Sequence, residues 1–135
     1  MVERYEDWPK RLSNYLAERK NMPFEWGVND CMAFVAKGVE AITGTDFFPD
    51  FSNYTDEISA FEMLSANGGA AGIISKCLGS STKDIMKANR GDVVLFRMPE
   101  ITAGIVDDSG QAIALVSKDG LLRLPLSKAY RVWKV

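Results

Sequence analysis

The 135 residues carry 47% hydrophobic and 25% charged side chains, an ordinary globular balance that supports one core without disulfides or metals. A formal net charge of −2 leaves no global basic field to hold nucleic acid, and no nucleic-acid partner is expected. Two cysteines, Cys31 and Cys77, are too few for a disulfide scaffold, and a chain with no histidine and no C-x-x-C offers no metal-ligand spacing.

No cofactor is called for. Residues 1–7 are charged and lack an apolar centre, so they do not read as a signal peptide. No apolar run approaches the roughly 18 residues of a membrane helix, so no membrane span is expected.

The first half reads helical. Asp7 precedes Trp8 and Pro9, and proline is tolerated in a first helical turn. Leu12, Tyr15 and Leu16 then form one apolar stripe, which ends in charge before Pro23. Residues 24–28 read as a loop with two aromatics and a glycine. A second helix starts near Asn29 and Asp30, both good N-caps, and Gly44 is suited to stop it. Its body is apolar on nearly every side, which predicts a central buried helix.

Residues 46–54 read as a loop pinned by Phe47, Phe48, Pro49, Phe51 and Tyr54. A third helix follows a cap at Thr55 or Asp56, with Ile58, Phe61, Met63 and Leu64 as its apolar residues. A fourth spans 70–78 and closes at Gly79. Gly68, Gly69 and Gly72 fit no phosphate-loop spacing, no Lys-Ser/Thr follows them, and they read as a helix-end turn. Residues 80–90 are polar and read as a loop.

The second half changes period. Residues 92–96, 103–106, 112–116 and 121–124 are short apolar or alternating runs. Asp107-Asp108-Ser109-Gly110 and Lys118-Asp119-Gly120 separate them as turns. Residues 130–135 alternate too, as a last strand that would suit partner docking if it lies at an edge. Helices followed by an antiparallel meander make an α+β fold in a single domain, 1–135.

The chemistry-bearing string is Phe24-Glu25-Trp26-Gly27-Val28-Asn29-Asp30-Cys31. A cysteine in the first turn of a helix meets free N–H groups and a dipole that favour the thiolate. Trp26, Gly27 and Asp30 would line the groove beside it. Taken alone, such a cysteine is more often a small buried residue.

The string resembles the nucleophile segment of NlpC-type cell-wall peptidases, a papain-like group. A second landmark, Gly91-Asp92-Val93-Val94-Leu95-Phe96, is similar to the strand that opens the sheet in that family. The family's next strand reads His-Val-Gly-Ile and carries the catalytic histidine, whereas here it reads Thr102-Ala103-Gly104-Ile105. The resemblance therefore puts Thr102 at the position of the missing base, and Ala114 near that of the missing orienting residue. Cys31 alone remains, as a vestigial nucleophile position.

The whole layout also resembles small phage and prophage proteins encoded among tail genes. The shared features are a Leu-x-x-Tyr-Leu helix at 12–16, the string at 24–31, the Gly91-Asp92 strand, the segment Gly120-Leu121-Leu122-Arg123-Leu124-Pro125-Leu126 and a short aromatic last strand. Papain-like hydrolysis needs a base to form the thiolate and an acid for the leaving amine, and losing such help costs about 10²–10⁴-fold. The carboxylates expected nearby, Asp30, Asp107 and Asp108, make poor acids.

The resemblance thus implies a catalytically inactive papain-like component of a phage tail tip. It would be assembled in the host cytoplasm and carried in the virion, with other tail-tip proteins as partners. The alternative is an active cysteine peptidase or amidase in contact with peptidoglycan, cutting its stem peptides during DNA entry. A third reading is a binding module whose groove holds a peptide.

Overall fold

The computed structural model describes residues 3–48 and 54–135. Four helices come first: α1 Trp8–Arg19, α2 Cys31–Thr43, α3 Glu57–Ala66 and α4 Gly69–Leu78. Five strands follow: β1 Val93–Arg97, β2 Ile101–Val106, β3 Ala112–Ser117, β4 Gly120–Pro125 and β5 Ala129–Trp133. They form one antiparallel sheet in the order β4-β3-β2-β1-β5. The α+β expectation holds. Pro49 and Phe51 of the aromatic loop lie outside the described residues, while Phe48 and Tyr54 at its ends are buried. None of the described helices is long and apolar enough to cross a membrane.

Local chemistry explains the helix limits. The Asp30 carboxylate accepts from the Ala33 N–H at 2.8 Å and caps α2, and Gly44 ends that helix at φ 78°. Asp56 and Ser59 form a reciprocal capping box on α3. Helix α2 lies very close to the sheet at Gly38, where a Cβ would stand 2.2 Å from Ile105 Cδ1. A side chain there would displace the end of the Ile105 side chain.

Alternation splits the sheet into two faces. Val93, Leu95, Ala103, Ile105, Ala114 and Trp133 pack with the helices. Val94, Phe96, Val106, Ile113, Leu115 and Val132 form a second, smaller cluster. Ile85 and Ala88 cover part of that second face, which explains why residues 80–90 are more than the loop expected from their polarity. Ile85–Lys87 is a short 3-10 turn, with the Asp84 carboxylate accepting from the Met86 N–H at 3.0 Å. Thr82 then exchanges two backbone hydrogen bonds of 2.9 Å with Val132. Strand β5 does lie at a sheet edge, but Thr82 occupies part of its outer side.

The Gly91-Asp92 landmark has a structural role. The Asp92 side chain is fully buried. Its Oδ1 accepts from Arg4 Nη2 at 3.1 Å and from the Val135 N–H at 2.9 Å. Its Oδ2 accepts from the Asn89 N–H at 2.8 Å and from Lys134 Nζ. Arg4 also donates to the carbonyls of Val135 and Arg90, each at 2.7 Å. One carboxylate thereby ties the segment before α1 to the end of β5. Breaking a buried charge pair by removing one partner costs roughly 3–5 kcal/mol. Asp92→Ala should lower the urea unfolding free energy by about that amount, and a loss below about 1 kcal/mol would show that other contacts hold the two segments.

Candidate functional site

Residues 24–31 are arranged by two buried polar side chains. Asn29 donates to the carbonyls of Met22 at 3.1 Å and Pro23 at 3.0 Å, and accepts from Arg19 Nη1 at 2.8 Å. Asp30, besides capping α2, accepts from the Gly27 N–H at 2.8 Å and from the Tyr54 hydroxyl. Its carboxylate is therefore spent on holding the loop, the helix start and Tyr54 together. Phe24 meets Trp26 edge-on, with ring centroids 4.7 Å apart, and Trp26 meets Tyr54 at 6.5 Å.

These aromatics wall a groove of about 310 Å³. Cys31 lies in it at the first position of α2, and Trp26, Asp30 and Thr102 line it as well. Gly27 is not among its lining residues and borders an adjoining hollow behind Trp26 instead. Met98, Pro99, Glu100 and Ile101 also line it, and Glu57, Phe61 and Leu64 contribute from α3.

Cys31 faces β2 at Ala103, whose backbone N–H reaches toward the sulfur. Burial pushes the Cys31 thiol up, and the Asp30 charge adds to that effect. The backbone N–H groups of Ala103, Met32 and Cys31 itself oppose it without overcoming it. The helix start alone thus fails to make a thiolate here.

Thr102 lines the groove, but its side chain is engaged locally. Its hydroxyl donates to the Glu100 carbonyl at 3.0 Å, and strand alternation sets it with Gly104 and Val106 rather than with Ala103 and Ile105. Ala114 is fully buried in the core facing the helices and does not line the groove; Leu115 and Val116 do.

Two of the carboxylates expected near Cys31 are elsewhere. Asp107 and Asp108 follow the far end of β2 and bind Arg123, with Nε to Asp107 Oδ2 at 2.9 Å and Nη2 to Asp108 Oδ1 at 3.4 Å. Their closeness to β2 in sequence said nothing about which end of the strand meets α2. Glu57 and Glu100 are the acidic residues that do reach the groove with Asp30. Tyr54 is a site residue that sequence reasoning assigned to a surface loop; the apolar ring and polar tip of a tyrosine were the available signal.

A larger hollow, about 500 Å³, lies over the Asp92 knot between Trp8 and Lys134. Arg4 and Lys134 are bonded to Asp92, and the guanidinium groups of Arg4 and Arg90 lie over the Trp8 ring at 4.3 and 4.9 Å. Its charged groups are thus committed to internal contacts. Among the described residues no group of three or more His, Cys, Asp or Glu side chains is placed to hold a metal.

A protein-family model described as Domain of unknown function (DUF6950) matches residues 3–135. No curated protein matches the chain.

The state of the thiol is open to direct measurement. Iodoacetamide should label native Cys31 at pH 7 at under about one tenth of the rate of an activated, low-pKa thiol. Labelling should accelerate only above the ordinary thiol value of 9.0. Rapid labelling at pH 7, read by peptide mass spectrometry, would contradict a protonated thiol.

Proposed function

We propose that this chain, which belongs to the DUF6950 family, is a papain-like (NlpC-type) domain without catalysis, serving as a structural or assembly component of a bacteriophage tail tip. The observation that carries the first half is the surroundings of Cys31. The thiol sits at a helix start beside a groove, in the placement a nucleophile uses, yet burial keeps it protonated. Its neighbour on β2 is Ala103, and the chain contains no histidine, the side chain that exchanges protons near neutral pH. Asp30 is engaged by three donors and does not serve as an acid.

The tail role is supported by the order of motifs shared with small tail-encoded proteins. The 12–16 stripe lies on α1, the 24–31 string leads into α2, Gly91-Asp92 opens β1 and residues 120–125 form β4. The partners under this reading are other tail-tip proteins, and the place is the virion, reached by assembly in the host cytoplasm.

Two measurements test it. Mass spectrometry of purified virions from a phage or induced prophage encoding the chain should find it with the tail proteins. Cys31→Ser should support full infectivity. Release of stem-peptide fragments from peptidoglycan by the wild type, but not by Cys31→Ser, would overturn the inactive reading. Absence from virions, with tails still failing to form when the gene is deleted, would replace the structural role by one in assembly alone.

A further inference from the structure

We infer that the groove beside Cys31 holds an extended segment of a partner protein in which a lysine or arginine adjoins a large apolar residue. The inference goes beyond the proposed tail role and shares with it only the premise that the groove cuts nothing.

Apolar side chains stand exposed along the groove. Phe61 is 69% exposed, Met98 49% and Ile101 48%, and all three line this groove. Ile58, one turn before Phe61 on α3, is 73% exposed. Helix α3 buries only Ala60, so it presents apolar side chains to water that its own fold does not cover. Exposed apolar side chains gathered in one place mark an interaction surface. The groove's volume, about 310 Å³, is at the lower end for ligand pockets and suits one or two side chains of an extended segment rather than a folded face.

Glu57 and Glu100 reach the groove from α3 and from the turn before β2, and neither makes an ion pair among the described residues. No lysine or arginine lines the groove among the described residues. The Phe24 and Trp26 rings line the same groove, and a cation over an aromatic face gains further attraction. A groove with aromatic walls and unpaired anions favours a cationic, partly apolar peptide and disfavours one rich in carboxylates.

The test uses two mixtures of capped heptapeptides with apolar flanks. One has lysine or arginine at the centre and the other has glutamate. Binding to the isotopically labelled full chain is followed by NMR. The cationic mixture should shift the Trp26 indole and the Thr102 amide, and the glutamate mixture at the same concentration should leave them unmoved. Combining Glu57→Lys with Glu100→Lys should weaken the cationic mixture on the order of tenfold and raise binding of the glutamate mixture. Glu57→Gln with Glu100→Gln, a milder pair, should give an intermediate loss.

Equal binding of both mixtures, no binding of either, or shifts confined to another surface would overturn the inference. Cationic peptides that are bound and also cleaved would uphold the groove's preference and sink the inactive reading. Absence of binding would sink the groove's preference and leave the tail role to its own test.

Discussion

Asp92 carries the constraint on which the rest of the arrangement depends. A buried carboxylate must be met by charge and hydrogen bonds or it destabilises the fold. Here the donors come from Arg4, Asn89, Lys134 and Val135, three separate stretches of chain. Satisfying them draws the end of β5 to the start of β1 and lays the segment before α1 across both. With β5 beside β1 and the β1–β4 meander extending the other way, β2 falls in the middle of the sheet. That is the strand against which α2 packs, with the Ile105 side chain reaching the space beside Gly38. The meeting of Cys31 with Ala103 follows from this chain of contacts, so the Gly-Asp landmark positions the groove without entering it.

What could be read in the sequence was whatever local chemistry decides. Asp30 and Gly44 mark the ends of α2 because a cap acts within one turn. The turns at 107–110 and 118–120 separate β2 from β3 and β3 from β4 as their composition requires. The rest depends on partners distant in sequence. No local pattern says that Val93 pairs with Trp133, or that Thr82 borders Val132. Tyr54 reached the groove through a hydrogen bond to a carboxylate 24 positions earlier. Asp107 was misplaced for the same reason: nearness along the chain fixes the strand but not which of its ends faces a helix. In the interior of β3, Ala114 faces the helices and is fully buried in the core, while Val116, two residues further on the same face, reaches the groove.

The environment of Cys31 is a contest between two ordinary effects. Free N–H groups at a helix start favour negative charge. Removal from water disfavours it, and so does a carboxylate in the preceding position. At Cys31 the second pair prevails. An imidazole across the groove would reverse the balance by supplying a cation next to the sulfur, which is how thiol nucleophiles are activated. Ala103 offers only a backbone N–H in that place. Under the proposed papain-like ancestry, loss of one side chain therefore removes both the proton carrier and the charge that kept the thiolate.

Under the same proposal, a groove whose chemistry is lost need not close. Its walls here are held by groups that have no need of a ligand: Asp30 is satisfied by Ala33, Gly27 and Tyr54, and the Phe24–Trp26 contact is edge-on in the geometry aromatic pairs prefer. The groove thus persists as a by-product of capping α2. Its rim is different, because among the described residues no contact requires Ile58 and Phe61 to face water or Glu57 and Glu100 to stand without an ion pair. Internal packing would be served equally well by polar residues on that side of α3, whose cap at Asp56 and contacts through Ala60 do not involve them. The walls are explained by folding and the rim is not, so the rim is where contact with another molecule is to be sought.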